Sequence, residues 1–325
     1  MTARPRALID QDIQPADRFR MQASDCFDLS FGVEPNEDAV IEALDGRSVL
    51  FTTSRVPVTE RVLREAGSLE LVAKVGTGID SIDLATAEEL GVGVIYTPGF
   101  NALSVAEHAL ALLLAVSRNV VMGCGELRAG GWRDTMPTSC PVTDTTVGIV
   151  GFGRVGSRLA GLLDGFNVEL LAHDPYVEDI KTDITGATLV GFEELLEASD
   201  SVIVTAELTE ETRGMFDAEA FDRMSTDAVL VNTARGPVVD TDALVVALDS
   251  GKLGGAGLDV FETEPLPVDS PLHDYENVVV TPHLAASSVR ARTNIIDTLV
   301  ANARPVLNGR SIDDRFIAVA PNGRR

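Results

Sequence analysis

The chain has 325 residues, 45% hydrophobic and 23% charged, an ordinary globular balance with length enough for two domains and a large apolar core. Its formal net charge is −24 and its pI about 4.4, which argues against binding a nucleic-acid backbone or an anionic membrane surface. Only Lys74, Lys181 and Lys252 are lysines, and the rest of the 26 basic residues are Arg. Excess carboxylate with so little lysine resembles the surface of a protein working at high salt, a halophilic pattern. A merely acidic cytosolic chain is the alternative.

Cys26, Cys124 and Cys140 are widely spaced and form no CxxC, so buried structural thiols in a reducing compartment are expected, with no metal site. Arg4 and Arg6 are followed by no apolar signal core. The most apolar stretch, Ala102 to Val116, is broken by Glu107 and His108 and is too short and polar to span a bilayer. A soluble cytoplasmic protein is therefore expected.

Short apolar runs alternate with helical patterns, which predicts an α/β fold on parallel sheets. The first strands are predicted at Ala7–Ile9, Phe27–Phe31, Ser48–Thr52, Leu71–Val75 and Gly93–Tyr96, with helices at Asn36–Leu44, Thr59–Ala66 and Leu84–Leu90. That is nearly a complete doubly wound unit. The Pro98-Gly99 pair then breaks structure, and Ser104 opens a long apolar helix to about Val120. After a loop around Trp132 a second series begins. Its strands are predicted at Thr146–Val150, Val168–His173, Ser201–Thr205, Ala228–Asn232, Gly255–Asp259 and Asn277–Val280. A last helix, Ser287 to about Val306, leads away from this series, and the remainder is too short for a third domain.

The strand Thr146–Val150 runs directly into Gly151-Phe152-Gly153-Arg154-Val155-Gly156 and then the helical stretch Ser157–Leu163. GxGxxG between a strand and a helix is a dinucleotide-binding turn. Gly151 permits the tight turn, Gly153 lets a pyrophosphate approach the backbone, and Gly156 lets the helix pack on the strand. The helix N-terminus adds amide donors and positive potential. The next strand ends at Asp174, 18 residues past Gly156, where a carboxylate binds ribose hydroxyls and repels a 2′-phosphate. NAD is therefore expected over NADP. A plain glycine-rich turn followed by an Asp cap is the alternative.

With these motifs in place, the sequence resembles the D-isomer-specific 2-hydroxyacid dehydrogenases from about residue 48 to 305. Besides the fingerprint and Asp174, the resemblance is carried by several separated motifs. They are Val75-Gly76-Thr77-Gly78-Ile79-Asp80, the run NALSVAEH from Asn101 to His108, Val231-Asn232-Thr233-Ala234-Arg235-Gly236, Gly257-Leu258-Asp259-Val260-Phe261-Glu262-Thr263-Glu264-Pro265, and Thr281-Pro282-His283. The resemblance implies a discontinuous flavodoxin-like substrate domain, residues 1–100 and 288–325, into which a Rossmann NAD-binding domain, residues 101–287, is inserted. Both would be doubly wound on parallel sheets. It also implies hinges near Phe100 and Ser287, an active site in the cleft, and a homodimer formed through the nucleotide domains.

Hydride transfer to a 2-oxo acid needs a cation for the carboxylate and carbonyl, an acid for the developing alkoxide, and a partner for that acid. The resemblance assigns these to Arg235, His283 and Glu264. A guanidinium fork suits the first role, and His is the side chain that titrates near neutrality. Composition alone does not choose among the histidines. His108 lies within a helix, His173 beside the ribose Asp and His273 in a polar loop, and they rank lower. The resemblance selects Glu264 over Glu262, through the family's spacing to the following Pro265; Glu264 would stabilise the imidazolium and fix its ring, while Glu262 is expected to be a solvated charge.

The resemblance further places Asp259 at the nicotinamide amide. Thr205, Thr233 and Ala234 would lie beside the cofactor with Phe152, Arg154 and Val155 of the turn. Val75 and Gly76 would offer bare amides to the substrate carboxylate. Lys74 stands where phosphoglycerate dehydrogenases carry a phosphate-binding Arg, with Arg55 on a nearby loop. The resemblance implies a small-molecule substrate, D-3-phosphoglycerate, though a second phosphate-binding Arg is not clearly matched, or else glyoxylate, hydroxypyruvate or another short 2-oxo acid. Two departures stand out. Glu207-Leu208-Thr209 replaces the Pro-Leu-Thr of many relatives, and the regulatory domain of longer phosphoglycerate dehydrogenases is not expected. The alternative of a different class is an NAD(H)-sensing corepressor-like protein, against which the retained Arg235, Glu264 and His283 argue.

Overall fold

The computed structural model describes residues 4–177 and 185–321. The chain divides into two compact units, Met1–Asn101 with Ser287–Arg325, and Ala102–Ala286.

In the first unit β1 (Arg6–Ile9), β2 (Asp28–Phe31), β3 (Val49–Thr52), β4 (Leu71–Lys74) and β5 (Gly93–Ile95) pair in parallel, in the order β2-β1-β3-β4-β5. This is the flavodoxin-like order. Phe19 and Phe27 meet Phe51 edge to face, with centroids 4.8 and 5.6 Å away, on one side of the sheet. Val40, Leu44, Val62 and Leu63 fill the other. Asn36, Thr59 and Asp83 each cap a helix by accepting the third amide onward.

Two elements of this unit lie outside the predicted pattern. Helix Ala16–Ala23 is half polar and buries Phe19 and Ala23. It is held from afar, by Arg18 paired with Asp297 on helix Val289–Leu307. Strand Ile317–Val319 joins β5 antiparallel, so the sheet is not wholly parallel. Three residues are too few to show a strand period.

In the second unit β6 (Thr146–Val150), β7 (Glu169–His173), β8 (Thr188–Leu189), β9 (Ser201–Val204), β10 (Ala228–Asn232), β11 (Leu253–Leu258) and β12 (Val278–Val280) are all parallel. Their order is β12-β11-β10-β9-β6-β7-β8. This is the Rossmann order, with its topological switch point between β6 and β9. The apolar residues of β9 and β10 are buried, as strands covered on both faces require. Both units are thus doubly wound α/β sheets, as expected.

The long helix predicted to Val120 ends at Ser117. Asn119 takes φ 53, and a second helix, Val120–Arg128, leaves at 58°. Among the described residues no single helix is long and apolar enough to cross a membrane. The expectation of buried thiols is corrected. Cys124 and Cys140 are exposed and Cys26 is half-buried, all three unbonded. Cys124 lies on helix Val120–Arg128, which buries none of its residues.

Candidate active site

The phosphate-binding turn is built as its glycines require. Gly151 has φ +89, and a Cβ there would lie 2.4 Å from the Ala206 amide nitrogen. A Cβ on Gly156 would lie 2.4 Å from the Gly151 carbonyl, so the helix Arg154–Leu163 could not approach β6. At Gly153 an added Cβ would meet nothing within 4 Å. That open space in front of a helix N-terminus is a cradle for a phosphate. Thr205, just past β9, donates its hydroxyl to the Gly151 carbonyl at 2.5 Å and braces the turn across the switch point.

Asp174 sits one residue beyond β7. Its Oδ2 accepts the Phe152 amide at 2.7 Å and its Oδ1 the Tyr176 amide at 3.0 Å. The carboxylate expected at the ribose is therefore fixed to the glycine turn itself. Phe152 is fully buried in the core, and its amide serves Asp174. Its part in the turn is structural. Arg154 and Val155 open the helix.

At the end of β10, buried Asn232 accepts the Ala234 amide at 3.0 Å and donates to the Arg235 carbonyl at 3.1 Å, curling Thr233–Arg235 into a tight loop. Gly236 lets this loop touch the next one, since a Cβ there would overlap the Phe261 carbonyl carbon at 1.9 Å. Arg235 is half-buried, and its Nη1 donates to the Ala234 carbonyl at 2.8 Å. The Thr233 hydroxyl is buried, and among the described residues it has no hydrogen-bond partner. A buried orphan hydroxyl at the end of a central strand suits a polar ligand group. With the cradle at Gly153 and the carboxylate at Asp174, these residues fit a bound NAD.

The loops after β11 and β12 bring Glu264 and His283 together, His283 Nδ1 lying 2.7 Å from Glu264 Oε2. Glu264 Oε1 accepts the Phe261 amide at 3.0 Å, which orients the carboxylate. Burial alone would push the Glu264 carboxyl up. The hydrogen bond and charge of His283, the Phe261 amide and the charge of Arg235 outweigh it and hold the group below the usual glutamate range. Arg235, Glu264 and His283 thus share one electrostatic site. Glu262 is not merely solvated, for it accepts the Thr241 amide at 3.2 Å at the start of helix Thr241–Asp249.

Asp259 is fully buried. Its Oδ1 accepts the Thr281 hydroxyl and the Leu284 amide, at 2.6 and 2.9 Å, and its Oδ2 accepts the Ala285 amide at 2.8 Å. His108 Nε2 lies 2.9 Å from Thr281 Oγ1 and 3.4 Å from Asp259 Oδ1. The carboxylate expected at the nicotinamide amide is here committed to the protein's own loop. Asn232, Thr281 and His108 stand in the motifs quoted above, but sequence reasoning assigned them no role of their own. The signal for His108 was a polar residue set among the apolar positions of helix Ala102–Ser117.

In the first unit, Lys74 is buried at 2% exposure, its Nζ 3.4 Å from the Val75 carbonyl. A buried ammonium turned to its neighbour's carbonyl does not stand out toward a phosphate. The Val75 amide donates to the Thr52 carbonyl at 2.7 Å, so it is not a bare donor. The turn's available amides begin at Gly76, whose φ of +117 requires glycine. Arg55 pairs with Asp12 at 2.8 Å.

Residues 110–285 match the family described as D-isomer specific 2-hydroxyacid dehydrogenase, NAD binding domain. The chain is 38% identical over 280 residues to a D-3-phosphoglycerate dehydrogenase of Mycobacterium leprae (strain TN), covering 86% of this chain and 53% of that one. It spans about half the length of the phosphoglycerate dehydrogenases it matches. It is 35% identical over 332 residues to a glyoxylate reductase of Korarchaeum cryptofilum (strain OPF8), covering 98% of this chain and 99% of that one. Among solved structures, an NAD-dependent formate dehydrogenase from Staphylococcus aureus in complex with NAD aligns with TM-score 0.85 and 29% identity over 97% of this chain and 100% of that one. The sheet order, the glycine turn and these likenesses converge: the chain belongs to the D-isomer specific 2-hydroxyacid dehydrogenase family.

Proposed function

We propose that the protein is an NAD-dependent dehydrogenase that interconverts a small D-2-hydroxy acid and its 2-oxo acid. The observation that carries this is the His283–Glu264 pair at 2.7 Å, with the charge of Arg235 acting on the same carboxylate. Bound NAD supplies the hydride acceptor, and NADH the donor in reverse. Glu264 engages Nδ1 of His283, so Nε2 is the nitrogen that exchanges a proton with substrate. As imidazolium it protonates the alkoxide formed on reduction, and as neutral imidazole it accepts the hydroxyl proton on oxidation. Arg235 binds the acid's carboxylate and polarises its carbonyl through its guanidinium fork.

Thr205, Thr233, Ala234 and Asp174 belong with Gly151, Gly153 and Gly156 to the cofactor site, and Asp259 supports it from behind. In the first unit the Gly76 amide is the proposed donor to a substrate carboxylate, with Lys74 adding charge beneath the turn. Burial of Lys74 favours a short 2-oxo acid such as glyoxylate or hydroxypyruvate over a phosphorylated one. A steady-state screen decides, with NADH and NADPH against glyoxylate, hydroxypyruvate, pyruvate and the 2-oxo form of 3-phosphoglycerate. NADH-dependent turnover lost in His283→Ala supports the reading. Tight NADH binding without turnover of any 2-oxo acid overturns it in favour of a nucleotide sensor.

We place the enzyme in a reducing cytoplasm, consistent with its three unbonded thiols. A homodimer through the second unit is supported by helix Val120–Arg128, which buries no residue while Val120, Val121 and Leu127 are exposed, and by Trp132, 62% exposed nearby. Charge substitutions at Val121 and Leu127 that leave the mass of the particle in solution unchanged would remove that face as the interface.

A further inference from the structure

This inference rests on the dehydrogenase reading above and concerns what stands behind the acid–base pair. Helix Ala102–Ser117 runs antiparallel along β11 at very short range. A Cβ on Gly255 would lie 2.7 Å from Val116 Cγ1, and one on Gly257 would lie 2.9 Å from Leu112 Cβ. Four helical residues rise about 6 Å and two strand residues span roughly 6.6 Å, so the two elements keep step. The next step along both brings His108 to Asp259. The paired glycines of β11 are what let the helix lie close enough for this meeting.

The direction of the hydrogen bonds follows from chemistry. Burial alone would push the Asp259 carboxyl up, but hydrogen bonds from His108, Thr281 and the amides of Ala285 and Leu284 hold it below the usual aspartate range. It is therefore ionised and only accepts. The Thr281 hydroxyl must donate to it, at 2.6 Å. The Thr281 oxygen is left to accept from His108, at 2.9 Å, so His108 carries its proton on Nε2. Asp259 in turn holds the turn that carries His283. Its carbonyl accepts the His283 amide at 2.8 Å and its carboxylate accepts the next two amides. His283 itself has φ 50, a left-handed backbone that few non-glycine residues adopt.

We propose that His108 is a positioning residue for the acid–base turn: its Nε2–H, relayed through Thr281, orients the Asp259 carboxylate that keeps His283 in its left-handed conformation. A hydrogen-bond donor is what the position requires. An apolar residue of the same size would pack on the helix and leave the Thr281 oxygen without its donor.

The test compares His108→Ala, His108→Gln, Thr281→Val and the Ala/Val double variant. Readouts are kcat and KM for the 2-oxo acid, NADH affinity by fluorescence, and melting temperature. His108→Ala and Thr281→Val should each lower kcat by roughly tenfold or more, the scale of a misplaced catalytic group. NADH affinity should stay within about twofold. Glutamine, whose amide can donate to Thr281, should restore most of kcat. The double variant should be no worse than the poorer single, because both break one chain. A ring-nitrogen NMR spectrum of the wild type above neutral pH, which needs no turnover, should show His108 protonated at Nε2. Wild-type kcat in His108→Ala, a Gln variant as impaired as Ala, or an unprotonated Nε2 overturns the proposal. If the wild type turns over no 2-oxo acid, the dehydrogenase reading fails and the ring spectrum still decides the hydrogen-bond order.

Discussion

Asp259 and His283 are joined through the backbone: the Asp259 carbonyl accepts the His283 amide at 2.8 Å, and the Asp259 side chain takes the amides of Leu284 and Ala285 at 2.9 and 2.8 Å. A left-handed backbone at a non-glycine residue costs about 1–3 kcal/mol and persists only where its surroundings over-determine it. Here the carbonyl and the carboxylate of one buried Asp do so together, reaching across 24 residues of sequence.

That arrangement makes stability depend on one ionisation. The Asp259 carboxyl is held below its ordinary value of 3.8, so its contribution is complete above that pH and is lost as pH falls through the lower folded value. Asp259→Asn should destabilise the protein by about 1.5–3 kcal/mol near neutrality, the scale of hydrogen bonds to a charged group. Its penalty should shrink below about pH 4, where the wild type loses the same charge. Urea midpoints of both proteins between neutral and acid pH measure this. Curves that stay parallel into acid would show that the ionised carboxylate is not what holds the turn.

If Asp174 binds the ribose as proposed, it sets the cofactor choice. Its two oxygens bind the amides of Phe152 and Tyr176, which fixes the carboxylate beside the glycine turn. Asp174→Ala should weaken NADH by about 1.5–3 kcal/mol, roughly ten- to a hundredfold. NADPH should lose less, since its 2′-phosphate no longer meets a carboxylate. Fluorescence titration with both nucleotides checks it, and an unchanged ratio of affinities would remove Asp174 from the ribose site.

What was legible in the sequence was whatever its local pattern expressed. Buried strands such as Val147–Val150 and Val202–Val204 announce themselves as apolar runs, and GFGRVG carries its meaning in adjacent residues. The Glu264–His283 pair was legible only through motif resemblance, because its two halves are 19 residues apart. Helix Ala16–Ala23 was missed because Arg18 finds its partner, Asp297, at the far end of the chain. His108 meets Thr281 across 173 residues, so although it closes the NALSVAEH motif, its partner could not be read from the residues around it. The inward turn of the Asp259 carboxylate was hidden for the same reason. The strand placed it at a ligand-binding end, and only the folded loop shows which way it points.

The acidic surface should make the fold salt-dependent. At −24 of formal charge, self-repulsion is poorly screened in dilute buffer. The melting temperature should rise steeply from about 0.1 M to several molar KCl, where the screening length falls below roughly 3 Å. Sucrose at equal osmolarity should do much less. A flat salt curve would mean that the scarcity of lysine is compositional rather than an adaptation to brine.

The proton-transfer pair carries the most specific expectation. His283 Nδ1 lies 2.7 Å from Glu264 Oε2, and a carboxylate at hydrogen-bond distance stabilises an imidazolium over the neutral ring. Glu264→Gln keeps the size and an acceptor for the Phe261 amide but removes that anion. Reduction of the 2-oxo acid needs the imidazolium, so its rate falls as pH rises through the ring's titration. In the variant that falling limb should move toward acid. Oxidation needs the neutral ring, and its rising limb should move toward acid as well. NADH affinity should change little, because Glu264 touches the histidine and the Phe261 amide rather than the glycine turn. His283→Ala should cut kcat by about 10²–10⁴, the usual share of general acid–base catalysis. Arg235→Ala should raise KM as well as lower kcat, since it holds the carboxylate in the ground state and polarises the carbonyl more strongly in the transition state. The pH–rate profiles of wild type and Glu264→Gln in both directions decide the matter. If both limbs stay where they are, the 2.7 Å contact orients the ring without tuning its proton, and the tuning charge is Arg235 or the substrate itself.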